Sequence, residues 1–199
     1  MHMATIFIDF DDTLFPTHWY TKTEKSERQT EKFKLWMLTV ENTAINLLES
    51  LSKQGRITIV TNSGPGWVSY ITEKWTPKLA TLLVELKIRV VSANPKSLRT
   101  VSRYEQTRMK STVFKSKILA QWSIDDPRKN LLSIGDKMHD CMALHQALDD
   151  KINLSCLFYC KTIKMKEDPD IKEIIQQHFL LDTMIEQIFS VENDLEIFL

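Results

Sequence analysis

Ile6-Phe7-Ile8-Asp9-Phe10-Asp11-Asp12-Thr13-Leu14 is a short apolar run that empties into two aspartates one residue apart, and then a threonine. An unbroken apolar run is the pattern of a parallel strand buried on both faces. Open α/β sheets bind their ligands at the carboxyl ends of such strands. Two carboxylates cannot both stand unpaired at an apolar edge. A cation must neutralise them, or one must hold a proton. The stretch therefore points to a Mg²⁺ site in which one aspartate is a nucleophile and the other an acid and base.

Outward from this strand, apolar runs alternate with helical patterns, which implies βαβ units and a parallel sheet. Strands are expected at about 5–10, 56–61, 88–92, 130–134 and 154–159. A polar stretch rich in lysine and threonine covers 17–34. A helix is expected over about 38–53, with Leu47, Leu48 and Leu51 on its apolar face and Gly55 closing it in a left-handed cap. Gly64-Pro65-Gly66 breaks the chain before a helix carrying Trp67, Val68, Ile71 and Trp75, and Pro77 starts another that runs to about 85. A basic loop is expected over 93–106, a helix over about 110–122, and a final amphipathic helix over about 171–189, packed on the domain. The sequence shows no internal repeat and no low-complexity linker.

With 199 residues, 43% of them hydrophobic, the chain can bury one good core, so a single domain over 1–199 is expected. The formal net charge is zero, which argues against nucleic acid as a partner, because phosphate-backbone binding shows a basic excess. No apolar run reaches membrane-spanning length, and no secretory signal precedes the first strand. Cys141, Cys156 and Cys160 are odd in number and match no zinc pattern. Cys156 and Cys160 fall on an apolar strand, which reads as buried reduced thiols and a cytoplasmic workplace. Oligomeric state leaves no mark in the sequence.

Three further stretches follow the first in order. Ile57-Thr58-Ile59-Val60-Thr61-Asn62 is an apolar strand ending in a hydroxyl, Lys110 opens an amphipathic helix, and Leu131-Leu132-Ser133-Ile134-Gly135-Asp136-Lys137-Met138-His139-Asp140 is a strand ending in Gly-Asp-x-x-x-Asp. Together with Asp9-x-Asp11-x-Thr13-Leu14 they resemble the four motifs of the haloacid dehalogenase (HAD) superfamily, in its phosphatase branch, over roughly the whole chain. The closest likeness is to little-characterised HAD-like proteins of plants and protists. It is carried by Ser92-Ala93, by the helix start from Lys110 to Phe114, and by the stretch from Lys161 to Lys164. The residue before the lysine, usually Trp in those proteins, is Met109 here. The resemblance implies an α/β fold, a Rossmann-like doubly wound parallel sheet of about five strands with no large cap. It also admits a host cytosol as the workplace, should the source be a bacterium living inside eukaryotic cells.

The sheet order follows from the crossover rule. Parallel crossovers are right-handed, and ligands sit where the winding reverses. Winding from strand one to two and three, then back across to four and five, sets strands one and four side by side. Asp9-Asp11 and Asp136-Asp140 then share one crevice. Phosphoryl transfer needs an in-line nucleophile, neutralised phosphate oxygens and a protonated leaving group. Asp9 is the expected nucleophile, forming an aspartyl-phosphate. Asp11 protonates the leaving oxygen and then deprotonates the hydrolytic water. Mg²⁺ would take Asp9, Asp136 and the carbonyl of Asp11, with Asp140 orienting a metal water or bracing Lys110. The Thr61 hydroxyl and the Asn62 amide would hold the phosphoryl group, and Lys110 would offset its charge.

Each residue has a plainer use. Asp11-Asp12-Thr13 alone is turn chemistry, and Asp12 reads as a turn residue. Asp140 suits a helix N-terminus equally well. Lys115 and Lys117 compete with Lys110, although Lys115 lies off the Phe114–Ile118 apolar line. His145, four residues after Cys141, reads as a surface histidine. Neither gap between motifs leaves room for a folded cap, and an open crevice suits a phosphorylated protein or peptide. Phe10, Phe15, Trp19 and Trp67 near strand ends serve either packing or a phosphotyrosine ring. Arg99, Arg103 and Arg108 read as a solvated face, or as contacts for acidic residues beside a phosphosite. The expected function is a Mg²⁺-dependent phosphomonoester hydrolase, foremost a phosphoprotein phosphatase with a lean to phosphotyrosine. A small-molecule or polynucleotide-end phosphatase with a minimal lid is the first alternative. A catalytically silent binding module is the second.

Overall fold

The computed structural model describes residues 4–94, 96, 101–120, 129–149 and 158–199. Its centre is β1 (Ala4–Ile8), buried along its whole length. On one side β1 pairs in parallel with β2 (Gly55–Thr61), setting Ile6 beside Ile57 and Ile8 beside Ile59. On the other it pairs with β4 (Lys129–Gly135), setting Ile8 beside Ile134. With β3 (Arg89–Ser92), β5 (Phe158–Lys164) and β6 (Leu195–Phe198) the sheet has the order β3-β2-β1-β4-β5-β6, parallel throughout. The winding reverses between β1 and β4, as the crossover argument requires. The sequence reading fell one strand short: β6 is four residues long, half-exposed and at the sheet edge, too short to print an apolar run.

Side-chain alternation sorts the core into two layers. Ile6, Ile8, Ile57, Ile59, Leu132, Ile134 and Ile163 point to one face. There they meet α2 (Glu31–Gln54), α3 (Trp67–Trp75), α4 (Pro77–Glu85) and α7 (Ile171–Ser190). Phe7, Val60, Leu131, Phe158 and Cys160 point to the other, under α5 (Arg103–Leu119) and α6 (Met138–Asp149). The remaining helix, α1 (Thr17–Lys22), and a 3₁₀ turn at Glu27–Gln29 occupy the polar stretch before α2. No large cap is present among the described residues, and no helix there is long and apolar enough to cross a membrane.

Several boundaries differ from the sequence reading, each for a local reason. Gly55 is not a left-handed cap; its φ is −179°, extended, and it begins β2. A side chain there would collide with the Ala4 backbone, so glycine is required by the close approach of β1. Lys110 does not open its helix. A capping box of Ser102 and Glu105 starts α5 seven residues earlier, so the expected basic loop is partly helical and Lys110 sits mid-helix. The fifth strand runs from Phe158 to Lys164, later than expected; Cys156 and the rest of 154–157 lie outside the described residues, as do Arg99 and Trp122.

Candidate active site

Asp9 follows the last residue of β1, and its amide donates to Ile134 O at 2.9 Å, tying it to β4. Alternation sends Asp9 to the same face as Phe7, toward α5. On α5 the buried positions are Thr107, Lys110, Ser111, Phe114 and Ile118, a helical stripe. Phe114 stacks on Phe7 with centroids 4.1 Å apart, and one turn earlier Lys110 lies over Asp9. The Lys110 ammonium, itself buried, donates to Asp9 Oδ1 at 2.7 Å and to Asp140 Oδ1 in a very short contact. Of the three candidate lysines, Lys110 is therefore the one joined to the aspartates; Lys117 lines a cleft at the other end of the sheet.

Asp136 follows β4, and Asp140 lies in the first turn of α6. Gly135 is required between them, because a side chain there would collide with the Asp140 carboxylate. Asp140 is fully engaged: Oδ1 holds Lys110, and Oδ2 accepts from the Lys137 amide at 3.1 Å. Its carbonyl accepts from Ser133 Oγ at 2.9 Å. This is the arrangement of a brace for Lys110. Asp136 is different. Its Oδ2 is buried and carries no hydrogen bond, with Lys137 Nζ 3.2 Å away as an ion partner. One oxygen each of Asp9, Asp136 and Asp140 lie within 4.8 Å of one another, and the same holds for Asp12, Asp136 and Asp168. Asp136 belongs to both groups. It is the carboxylate best placed to meet a cation.

Asp11 occupies a separate polar nest. Thr61 Oγ1 and Ser63 Oγ donate to its Oδ2 at 2.8 and 2.7 Å, and Thr17 Oγ1 and Trp67 Nε1 donate to its Oδ1 at 2.7 Å each. Its side chain lies outside both acidic groups. Thr61 thus faces Asp11. Asn62 pairs with His139 Nε2 at 3.2 Å, leaving its buried Oδ1 without a partner. Asp12 has a left-handed φ of 56° and accepts from the His18 amide at 2.7 Å, the turn role expected of it.

The charge balance of this crevice is negative: among the described residues, Asp9, Asp11, Asp12, Asp136 and Asp140 gather around two lysines, Lys110 and Lys137. Burial pushes Asp9 well above the usual carboxylate range, and Asp140, Asp136 and Asp11 add to the push while Lys110 opposes it. Burial and the neighbouring Asp140 raise Asp136 to about 7, against the pull of Lys137. Burial works to lower the Lys110 ammonium, yet Asp140 and Asp9 outweigh it, and its value is raised. Two buried carboxyls displaced upward define a place where a divalent cation relieves repulsion. The oxygen-only donor set of Asp9 and Asp136 fits a hard ion such as Mg²⁺.

The sequence reading missed Ser63, Thr17 and Trp67 as partners of Asp11. Ser63 adjoins Thr61-Asn62 and was within reach of that motif, whereas Thr17 and Trp67 arrive from elements whose docking the sequence does not state. Of the rim aromatics, Phe10 and Phe15 are fully buried in the core, and Trp19 packs on Phe33 with centroids 5.2 Å apart. Only Trp67 stands at the crevice. Beside it a cavity of about 530 Å³ is lined by Ser63 to Trp67 and by half-exposed Tyr70. His145 is less isolated than expected, with Nδ1 3.8 Å from Cys160 Sγ and Nε2 3.4 Å from Glu196. Burial pushes the Cys141 and Cys160 thiols up to about 11 and 12, so both stay protonated. Comparisons with protein-family models, with curated proteins and with solved structures find no match for this chain.

Proposed function

We propose that the chain is a Mg²⁺-dependent phosphomonoester hydrolase of the HAD type, working through an aspartyl-phosphate on Asp9, with phosphoprotein substrates and a lean to phosphotyrosine. One observation carries this reading: Lys110 joins Asp9 to Asp140 at the ends of two adjacent strands, with Asp136 beside them and Asp11 two residues on. Asp9 attacks phosphorus as the bond to the leaving oxygen breaks, and Asp11 gives that oxygen its proton. Asp11 then takes a proton from the water that attacks the aspartyl-phosphate, which frees inorganic phosphate and restores Asp9. Both Asp11 oxygens are occupied in the structure. A phosphate gives the Thr61 and Ser63 hydroxyls competing acceptors, and so frees Asp11 for proton transfer. Lys110 holds Asp9 in place and offsets charge as the transition state forms. Asp9, Asp136 and the Asp11 carbonyl would hold Mg²⁺, which would neutralise charge at the phosphate oxygens.

The lean to phosphotyrosine rests on Trp67 and Tyr70, whose rings lie 6.4 Å apart at the mouth of the cavity next to Asp11. The leaving group sits on the Asp11 side, where an aryl ring meets these aromatics. The first test is hydrolysis of a generic aryl phosphate. Turnover is expected with Mg²⁺ and should stop with EDTA. Full activity in chelator, or no turnover of any phosphomonoester with Mg²⁺, sinks the assignment.

A further inference from the structure

On the sheet face covered by α5 and α6, these helices pack over β1, β4, β5 and the end of β2 at Val60, and among the described residues the first half of β2 and β3 is left open. Arg56 and Thr58 are two apart on β2, and Thr58 is the register partner of Arg89 on β3, so all three share this face. Lys117, on the last turns of α5, borders the opening, as does Lys87, in the turn before β3. Together they line a cavity of about 830 Å³. No carboxylate lines it among the described residues, and none of the four cationic side chains makes an ion pair or hydrogen bond. Composition does not account for this, because the chain as a whole is neutral.

Lys87 adds an independent sign. Its φ is 54°, and it closes α4 in a Schellman motif, with the Ile88 amide donating to Leu83 O at 2.9 Å and its own amide to Val84 O at 3.0 Å. Glycine is the residue this position favours. A lysine here keeps a charge at the mouth of the cleft against the backbone preference. A simpler use of surface cations is to keep an edge strand from pairing with another chain. That explains Arg89 on β3. It does not explain Arg56 on the inner strand β2, Lys87 in its turn, Lys117 on the facing helix, or the cleft that the four surround.

We propose that this cleft is a second binding site, taking a small anion that carries two or more phosphate groups. Its volume falls in the range of small-molecule sites, roughly 300–1,000 Å³. Four cations from separate elements exceed what one monophosphate needs and suit a phosphate chain. They converge on a cleft and form no stripe, so a polynucleotide backbone is not what they track. The site is distinct from the crevice: Arg56 and Thr61 stand five residues apart on β2, about 17 Å along the strand. The proposal is thus independent of the phosphatase reading.

Inorganic tripolyphosphate, titrated calorimetrically into the full chain in EDTA, tests it. Binding is expected, and Arg56→Ser with Arg89→Ser should weaken it by about tenfold or more. Lys87→Gly should also weaken it while raising the melting temperature, which separates loss of the site from loss of the fold. Thr61→Val, in the crevice, should leave it unchanged. No binding at millimolar tripolyphosphate, binding that survives the double substitution, or binding lost with Thr61→Val overturns the proposal.

Discussion

At the scale of single residues, Asp9 and Asp11 share a motif and differ in everything around them. Asp9 is buried against Lys110, and Asp11 accepts four neutral donors. Their substitutions should therefore fail differently. Under the proposed mechanism Asp9→Asn removes the nucleophile, so no phosphoenzyme should form. Asp11→Asn should slow both chemical steps by about 10²–10⁴-fold, the usual value of a positioned acid and base. It also turns one acceptor oxygen into a donor that faces two donors. Rapid-quench trapping with labelled aryl phosphate, followed by mapping of the labelled residue, separates the two. Label on any residue other than Asp9 overturns the scheme. The pairing of Asp9 with Lys110 was legible in the sequence, because Lys110, Phe114 and Ile118 hold helical spacing on one face. The fourfold hold on Asp11 was not, since Thr17 and Trp67 reach it from helices whose docking depends on the whole core.

Among the elements, α7 fastens the loop after β1 from behind. His178 is wholly buried, with Nε2 2.7 Å from Thr13 O and Nδ1 3.0 Å from Thr43 Oγ1. A carbonyl only accepts, so Nε2 carries a proton, and burial disfavours a second proton on the ring. Burial holds it down to about 4, with the Thr13 carbonyl opposing. An unfolded chain protonates histidine near 6.5. Between the two values the unfolded state binds the extra proton, so stability rises with pH. The contribution is complete above about pH 6.5 and is lost as pH falls to about 4, roughly 3 kcal/mol in all. Asp136, raised to about 7, acts in the opposite direction. The quantity to read is therefore the difference between wild type and His178→Gln in urea melts from pH 4 to 8. That difference should shrink toward acid; a constant gap contradicts the neutral, buried imidazole. Lys161, on β5, has a role within the fold. Its ammonium donates to Ile188 O and Val191 O at 2.5 and 2.6 Å, closing the end of α7. The start of α5 was present in the sequence as Ser102-x-x-Glu105, a capping box overlooked beside the basic residues around it.

For the molecule as a whole, the crevice lies open at the carboxyl ends of β1, β2 and β4, with no large cap over it among the described residues. Such a site grips a small phosphate with few groups, whereas a phosphopeptide gains contacts along the rim that can be used in the transition state. We expect kcat/KM for the best phosphopeptides to exceed that for nucleotides and sugar phosphates by at least about tenfold, or roughly 1.4 kcal/mol. Phosphotyrosine should lead. Because Trp67 also holds Asp11, its loss should lower turnover of every substrate, so Tyr70→Ala is the cleaner probe and should cost phosphotyrosine more than phosphoserine. A nucleotide or sugar phosphate that outpaces every phosphopeptide would replace this reading with a metabolite phosphatase using α1 as a small lid. The sequence by itself determined the order of five of the six strands and the meeting of Asp9 with Asp136, because apolar runs name the strands and right-handed crossovers restrict how they wind. It also indicated, through the lengths between motifs, that no large cap would appear, and none is present among the described residues. Tertiary structure alone decided that Phe10, Phe15 and Trp19 serve the core, that Asp140 braces Lys110, and that Arg56, Lys87, Arg89 and Lys117 surround one cleft. These depend on how far each helix covers the sheet, a balance of packing among residues distant in the chain that no local pattern records.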